Sequence, residues 1–222
     1  MTELSVIIPA LNAARTLPAT LRALGAGLDL IVVDGGSSDG TVERAREVDA
    51  RIVAASRGRG LQLNAGAAVA KGRWLLFLHA DTVLSDGWRS EVAAFMAEAH
   101  NQNTAAAFRF ALDDPSPWAR RLEALVRWRT QWLCLPYGDQ GLLIHKDFYA
   151  ALGGFTFDPL MEDVNIVRRI GCARLRALDT PAVTSAEKWR REGWLVRSLR
   201  NLLCLLLYFV GVPPRILARI YG

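Results

Sequence analysis

The chain has 222 residues, 51% of them hydrophobic, which is long enough to bury a sizeable core. That length favours a single domain, and no low-complexity linker or internal repeat divides it. The formal net charge is +5, and basic residues concentrate around 120–129 and 188–219. No motif of a nucleic-acid reader is present, so we expect phosphates or lipid headgroups, and no nucleic acid, as partners.

The cysteines and the first apolar run bear on where the protein works. Cys134, Cys172 and Cys204 are odd in number and lack the spacing of a metal site. We therefore predict three reduced cysteines in a cytoplasmic protein. The apolar run at Leu4–Ala10 is short and leads directly into the fold, so we predict no signal peptide.

The first hundred residues alternate short apolar runs with helical patterns. Strands are predicted at Leu4–Pro9, Leu30–Asp34, Arg51–Ala55 and Trp74–His79, and helices at Thr16–Ala26, about Thr41–Val48 and Leu61–Lys71. This alternation predicts an α/β fold with a parallel sheet covered by helices.

The fourth predicted strand ends in two side chains that can bind ligands, His79 and Asp81. Residues two apart on a strand point to the same face, so we expect both to face one site. Ligand sites in open α/β sheets lie at the carboxyl ends of the strands. A carboxylate there can hold a divalent cation, and the cation can hold a phosphate. The pattern favours an enzyme that uses a sugar nucleotide.

Glycines and hydroxyls follow the second predicted strand, over Asp34–Thr41. Such a turn before a helix favours a bound phosphate. A plain connection, in which Ser38 or Asp39 caps the helix, explains the same residues. The spacing is not the G-x-G-x-x-G of a dinucleotide site.

Six motifs occur in order along the chain. They are VIIPALN (Val6–Asn12), VVDGGSSDGT (Val32–Thr41), GRGLQLNAGAAVAKG (Gly58–Gly72), LLFLHADT (Leu75–Thr82), GDQG (Gly138–Gly141) and MED (Met161–Asp163). Together they resemble the family 2 glycosyltransferases with the GT-A fold, most closely the bacterial radical-SAM/selenodomain-associated transferases. The resemblance implies a Rossmann-like, mostly parallel sheet flanked by helices over residues 1–192. Residues 1–100 would bind the nucleotide, 101–192 would form the acceptor-side half, and 193–222 would form an amphipathic helical appendage.

The same resemblance implies a set of donor-binding residues. These are Pro9, Ala10, Asn12, Asp34, Gly36, Arg59, Asn64 and Ala80. A carboxylate at Asp34 would accept a hydrogen bond from a uracil imide N–H, although a turn aspartate is the alternative. Arg59 would either neutralise a phosphate or belong to a solvated basic face. Ala13 departs from the family, which often has Glu at this position.

The segment His79–Asp81 matches the D-x-D motif that holds Mn²⁺ or Mg²⁺ on the donor diphosphate. The resemblance therefore implies Asp81 as a metal ligand. His79 replaces the first Asp of the motif; it can ligate Mn²⁺ or donate to a ribose hydroxyl. A histidine satisfied by the backbone at the strand end is the alternative.

The resemblance also implies the catalytic and acceptor-side residues. Asp163 would be the general base, with Glu162 in a secondary role, although two acids also favour a helix N-terminus. Asp139 and Gln140 would hydrogen-bond the acceptor or sugar. Lys188 and Trp189 would close over the diphosphate or face lipid headgroups, and the absence of Q-x-x-R-W gives no indication of polymerisation.

The end of the chain is apolar and basic. The uninterrupted run Leu202–Val212 has eleven residues, short of the roughly 20 that span a bilayer. Trp194, Tyr208 and nearby arginines suit an interfacial helix on the inner face of the cell membrane. A core helix or a homodimer interface is the alternative. An interfacial helix would favour a lipid or isoprenoid acceptor.

The sequence thus predicts a metal-dependent, inverting glycosyltransferase that uses a UDP-sugar. One alternative is a nucleotidyltransferase, whose G-x-G-T-R-type loop is missing at Ala10–Thr16. The other is a nucleotide-sugar-binding protein without turnover, which His79 and Ala13 keep open.

Overall fold

Eight strands of one sheet organise residues 3–221, the part of the chain that the computed structural model describes. The strands are β1 (Leu4–Ala10), β2 (Asp29–Asp34), β3 (Arg51–Ala54), β4 (Trp74–Phe77), β5 (Thr82–Leu84), β6 (Ala105–Leu112), β7 (Leu142–His145) and β8 (Leu175–Thr184). The α-helices are α1 (Leu17–Leu24), α2 (Thr41–Arg46), α3 (Arg59–Val69), α4 (Trp88–Ala97), α5 (Pro117–Leu133), α6 (Lys146–Ala151), α7 (Glu162–Ile170), α8 (Glu187–Glu192), α9 (Trp194–Phe209) and α10 (Pro214–Tyr221).

The strand order is β3-β2-β1-β4-β7-β6-β8-β5. The first four of these strands are mutually parallel, whereas β7 runs antiparallel to both β4 and β6. Strands β6 and β8 are parallel, and β5 pairs antiparallel with β8. The predicted α/β architecture is confirmed, and the antiparallel strands all come from the part after β4.

Helices cover both faces of the sheet, which is why β4 is apolar along its whole length and β1 is apolar except at Ser5. Alternate residues of β1 enter different cores. Val6 and Ile8 pack with α1 and α4, whereas Ile7 packs with α3, α6 and α7. Helix α3 approaches the sheet closely at Gly66, where a Cβ would lie 2.4 Å from Cγ2 of Ile7.

The fourth strand is shorter than predicted and ends at Phe77. His79 and Asp81 lie in the turn that follows, where the Thr82 N–H donates to the His79 carbonyl over 3.2 Å. Alternation along a strand is therefore the wrong reason for placing these two side chains together. The last backbone hydrogen bond between this segment and β1 runs from the Leu78 N–H to the Ile7 carbonyl. Beyond Leu78 the chain leaves the sheet and turns.

A disulfide corrects the prediction of three reduced cysteines. Cys134, directly after α5, is bonded to Cys172, two residues after the end of α7, and their Cα atoms are 5.3 Å apart. Cys204 is free and buried. The pairing joins positions 38 residues apart, a proximity that no local spacing indicates. The cysteines consequently no longer support a cytoplasmic location.

The predicted helical appendage is present as α9 and α10, with Pro213 and Pro214 at the junction. Tyr221 reaches back to line the central cleft described below, so α10 is more than an outlying segment. Over residues 3–221, we find no helix with the length and apolarity needed to cross a membrane.

Candidate active site

A cleft of about 540 Å³ opens at the carboxyl ends of the parallel strands. Its walls come from the loop after β1, the start of α3, the turn after β4 and the segment around α8. Several residues proposed from the sequence meet there. They are Pro9, Ala10, Asn12, Arg59, His79, Ala80, Asp81, Glu162 and Lys188.

The loops after β1 and β2 hold each other in place on the side of this cleft where the sequence predicts donor binding, which we call the donor side. Asn12 has a positive φ of 51°; its backbone N–H donates to Oγ of Ser37, and its Oδ1 accepts from the Ser38 N–H, each over 2.9 Å. Gln62 spans the strand ends by donating from Nε2 to the carbonyls of Ala10 and Val33. The donor side is thus fixed by its own hydrogen bonds.

Asp34 lies behind this wall, 9% exposed, and is not among the residues that line the cleft. Its carboxylate accepts from the backbone N–H groups of Gly36 and Ser37 at about 3.1 Å. Gly36 has a φ of +89°, which favours glycine. These bonds are those of a turn aspartate, and contact with a base stays a prediction.

His79 is held neutral in the floor of the cleft. Burial lowers its pKa well below the ordinary value, and the charges of Arg59 and Lys188 lower it further. A neutral imidazole has a free nitrogen lone pair that can bind a metal ion. His79 faces Gly138, where a Cβ would lie 2.6 Å from its Nε2 and 3.6 Å from Oδ2 of Asp163. Glycine at 138 therefore lets His79 and Asp163 approach the same point.

The acids at the start of α7 are tied to two other segments. Glu162 is 1% exposed and pairs with Arg59 of α3 at 3.1 Å. Burial and the neighbouring charge of Asp163 raise the pKa of Glu162. Asp163 accepts from the Gly138 N–H at 2.9 Å and from the Val164 N–H at 2.7 Å. Both acids thus take part in defined contacts at the helix start.

Asp139 is the most unusual carboxyl of the site. Its Oδ1 is buried and makes no hydrogen bond within residues 3–221. Burial raises its pKa to about 6, and although Arg129 opposes this, the charges of Asp163 and Asp81 add to it. An uncompensated buried oxygen next to other acids favours a proton, a cation or a donor hydroxyl.

Three predicted site residues point into the protein instead of the cleft. Asn64 binds Phe155 and the hydroxyl of Tyr149. The Gln140 amide is 2% exposed and is occupied by Phe108 and Thr130. Trp189 is 9% exposed and packs in a cluster away from the cleft. Their geometry supports a structural role, so we leave them out of the proposed chemistry.

Sequence reasoning missed an ion pair across the mouth of the cleft. Arg15, after β1, pairs with Glu187 of α8, 172 positions away. Both side chains are substantially exposed. Arg129 was also missed as a contact residue; its guanidinium lies 3.5 Å from the centre of the Tyr137 ring, beside Asp139. No local pattern indicates either contact.

Metal-ligating side chains are sparse in the described part of the chain. No cluster of three or more His, Cys, Asp or Glu residues there is arranged to hold an ion. Asp81 and His79 both line the cleft.

Solved structures with the same architecture identify the fold. The mannosyltransferase PcManGT from Pyrobaculum calidifontis, solved with GDP-Man and Mn²⁺, aligns with a TM-score of 0.68 and 20% identity over 99% of this chain and 68% of its own. Glucosyl-3-phosphoglycerate synthase from Mycobacterium tuberculosis, solved with Mg²⁺ and UDP, gives 0.67 and 20% over 96% and 80%. This likeness defines the class as an α/β fold of the GT-A type.

The sequence assigns the chain within that class. The family Glycosyl transferase family 2 matches residues 5–162, more than half of the chain. The protein therefore belongs to glycosyl transferase family 2. PGL/p-HBAD biosynthesis glycosyltransferases of Mycobacterium bovis and Mycobacterium tuberculosis are 37% identical over 106 residues. Those matches cover 42% of this chain and 41% of the relatives, so the chain spans less than half their length.

Proposed function

We propose that the protein transfers a sugar from a UDP-sugar to an acceptor hydroxyl, with inversion at the anomeric carbon. The observation that carries the proposal is the close approach at Gly138, which brings His79 of the cleft and Asp163 of α7 to one point. The donor wall at Pro9–Asn12 lines the same cleft as Asp81. Residues 1–192 form the transferase domain in this proposal, and 193–222 form its appendage.

A divalent cation fits the chemistry of the residues around Asp81. The buried Oδ1 of Asp139 has no partner within residues 3–221, and the Asp81 charge contributes to raising the pKa of Asp139. Asp81 would hold Mn²⁺ or Mg²⁺ together with diphosphate oxygens, and neutral His79 would suit Mn²⁺. When bound, the ion would neutralise charge on the leaving diphosphate.

Asp163 acts as the general base in the proposed transfer. It accepts the proton of the acceptor hydroxyl as that oxygen forms a bond to the anomeric carbon. The bond between this carbon and the phosphate oxygen breaks, and its electron pair leaves with the diphosphate. The Gly138 N–H and the first turn of α7 stabilise the Asp163 carboxylate in the orientation needed. Glu162 fixes Arg59 at the border between the donor and acceptor sides.

Lys188 and Arg59 supply positive charge to the same cleft. Both are near enough to His79 to lower its pKa. Cations in this position favour a bound diphosphate by direct attraction. Lys188 follows Glu187, which pairs with Arg15 across the cleft mouth, so this segment is placed to cover the phosphates.

The acceptor in this proposal is a lipid or an isoprenoid, and residues 194–222 bring the protein to the lipid surface. The support is the apolar outer side of α9, where Leu195 is 61% exposed and Leu199 is 65% exposed. This finer part of the proposal is separate from the chemistry of transfer.

A thermal-shift panel of nucleotide sugars, each with Mn²⁺, Mg²⁺ or chelator, tests the donor and the metal together. We expect a UDP-sugar with metal to raise the Tm most, and incubation with it to release UDP. Asp81→Ala should remove the metal-dependent part of the shift, whereas Asp86→Asn, an exposed turn residue, should keep it. A shift that is indifferent to both metal and Asp81 would contradict the proposed metal role.

A further inference from the structure

Helix α5 exposes large apolar side chains that its own protein does not cover. Its outward residues recur every three or four positions, which places them on one side of the helix. They are Trp118 (43% exposed), Leu125 (63%), Trp128 (54%) and Trp132 (74%). Arg121 lies on the same side of the helix, three residues after Trp118. Its guanidinium is 5.1 Å from the centre of the Trp118 ring. We call these five residues the tryptophan stripe.

The exposed charges of α5 are all positive. Its one acidic residue, Glu123, is 8% exposed and faces inward. Glu123 accepts from the Leu112 N–H at 2.8 Å and pairs with Arg120 at 2.9 Å. Arg121 and Arg127 are exposed, and no carboxylate of residues 3–221 lies within 4 Å of either guanidinium. The outer side of α5 therefore combines indole rings with uncompensated arginines.

Helices α9 and α10 together expose aliphatic and phenylalanine side chains and two arginines. The outer side of α9 is entirely apolar, whereas its inner side holds Arg197, which is 6% exposed. Neither helix contains an acidic residue, and α10 exposes Arg215 and Arg219. The apolar residues exposed on α9 include Leu195, Leu199, Leu202, Leu206 and Phe209. A surface helix in water normally buries its apolar side and exposes its charged side, whereas α9 exposes apolar residues and buries Arg197.

The two surfaces adjoin the acceptor side of the cleft. Trp194, the first residue of α9, packs against the cluster that contains Ala119 and Val126 of α5. Arg129 near the end of α5 stacks on Tyr137, and Tyr137 lines a cavity together with Asn201 of α9 and Asp163. A surface held by α5 and α9 would therefore lie beside the general base.

We propose that the tryptophan stripe of α5, together with the outer side of α9 and α10, docks on an anionic lipid bilayer. Indole rings favour the interface between headgroups and acyl chains, and arginines are attracted to anionic headgroups. A second copy of the chain fits less well, because pairing these helices would bring like charges together without acids to neutralise them. The docking extends to α5 the lipid contact proposed above for residues 194–222 and rests on that part of the proposed function, but it does not depend on glycosyl transfer.

Vesicle flotation of the full chain tests the proposal. We expect binding to vesicles of phosphatidylcholine with phosphatidylglycerol, weaker binding to phosphatidylcholine alone, and loss of binding at high salt. Trp128→Ala/Trp132→Ala should lower the affinity about tenfold or more, because interfacial binding scales with buried apolar area. Arg121→Gln/Arg127→Gln should weaken binding only to the anionic vesicles. Phe157→Ala, an aromatic residue that is 71% exposed outside these helices, is the matched control and should bind as the unmodified protein does.

Two measurements keep the result unambiguous. The thermal shift with UDP and Mn²⁺ should be the same in the α5 variants, so that a loss of vesicle binding is distinguished from a damaged donor site. Where the double variant fails to fold, Trp132→Ala alone replaces it. Failure of the unmodified protein to bind anionic vesicles would overturn the proposal, as would unchanged binding by the folded tryptophan variant. A dimer in sedimentation that the same substitutions dissociate would assign the surface to a second copy instead.

Discussion

The donor and acceptor sides of the cleft treat buried polar groups in opposite ways. On the donor side, Gln62 and Asn12 direct their amides to backbone groups of the neighbouring loops, and the Asp34 carboxylate accepts two N–H groups. On the acceptor side, Asp139 keeps an oxygen without a partner among the described residues, and Glu162 is buried next to Asp163. The polar groups named on the donor side are satisfied within the protein. On the acceptor side, a ligand could supply the missing partner of the Asp139 oxygen.

The difference follows from where the residues come from in the chain. Donor-side groups lie at or against the ends of β1 and β2, where the backbone N–H and C=O groups of the strand ends and following loops are free to bond with side chains. Acceptor-side groups come from two separated segments, at Gly138–Asp139 and at Glu162–Asp163, and Glu162 pairs with Arg59 of α3. Backbone N–H groups satisfy Asp163, but Glu162 depends on the Arg59 side chain and Asp139 Oδ1 has no partner among the described residues.

The largest effect should come from removing the base on the acceptor side. Asp163→Asn should lower kcat by about 10²–10⁴-fold, because an amide cannot accept the acceptor proton. The Kd for the donor nucleotide should stay the same, because Asp163 makes its hydrogen bonds to Gly138 and Val164 and not to the loops after β1 and β2. Steady-state transfer kinetics and nucleotide titration measure the two quantities, with Asp86→Asn as control. Full turnover by the Asn variant would refute the assignment of the base.

The close packing of α3 against β1 and β2, which supports the donor side, should be sensitive to added volume at Gly66. Gly66→Ala would place a Cβ 2.4 Å from Cγ2 of Ile7 and 2.9 Å from Cγ2 of Val33. Overpacking of this kind should lower the free energy of unfolding by about 1–3 kcal/mol. Gly40→Ala is the matched control, since its Cβ would only meet the Ala14 Cβ, at 4.0 Å. Urea unfolding decides, and equal stability of the two variants would show that α3 shifts without cost.

A pH experiment on metal-free protein tests the unbalanced charge of the acceptor side. The folded state raises the pKa of Asp139 from 3.8 to about 6, chiefly through burial. The folded protein therefore binds the proton more tightly than the unfolded chain, and its stability falls as the pH rises through this window.

Asparagine stays neutral, so Asp139→Asn should melt above the unmodified protein at neutral pH. For a chain of this size the difference should be a few degrees, at about 2–4 °C for each kcal/mol. The pH-dependent part of the difference should vanish below pH 3.8, where Asp139 is protonated in both the folded and the unfolded state. A Tm difference that does not change with pH would contradict a raised pKa at this position.

The smallest effect belongs to the ion pair that joins the two sides. Arg15 and Glu187 are exposed, at 74% and 48%, so solvent and salt screen their attraction. Arg15→Ala should change the free energy of unfolding by less than about 1 kcal/mol. Arg44→Ala, which removes another exposed pair, is the control. A substantially larger loss with Arg15 alone would indicate that the pair holds the cleft mouth together.

Sequence reasoning reached the donor side of the site because its signals are local. Apolar runs predict strands, and the polar residues that follow a parallel strand lie at its carboxyl end, as Asn12 and Asp81 do. The sequence did not predict which side of a helix faces the cleft. Asn64 is on α3, yet its side chain faces Tyr149 and not the cleft. Tyr221 and the Cys134–Cys172 pair depend on how distant helices pack, which no short pattern records.

Arg197 has a consequence for how α9 would meet another surface. On the inner side of the helix, it donates to Glu192 at 2.9 Å and to the Tyr221 hydroxyl at 3.0 Å, and it lies 4.9 Å from the Trp189 ring centre. Desolvation opposes ionisation of Glu192, yet hydrogen bonds from Arg200 and Arg197 lower its pKa to about 2. These contacts anchor α9 before any partner arrives. Association is then a rigid-body event without the entropy loss of coupled folding, and encounter and orientation set its rate.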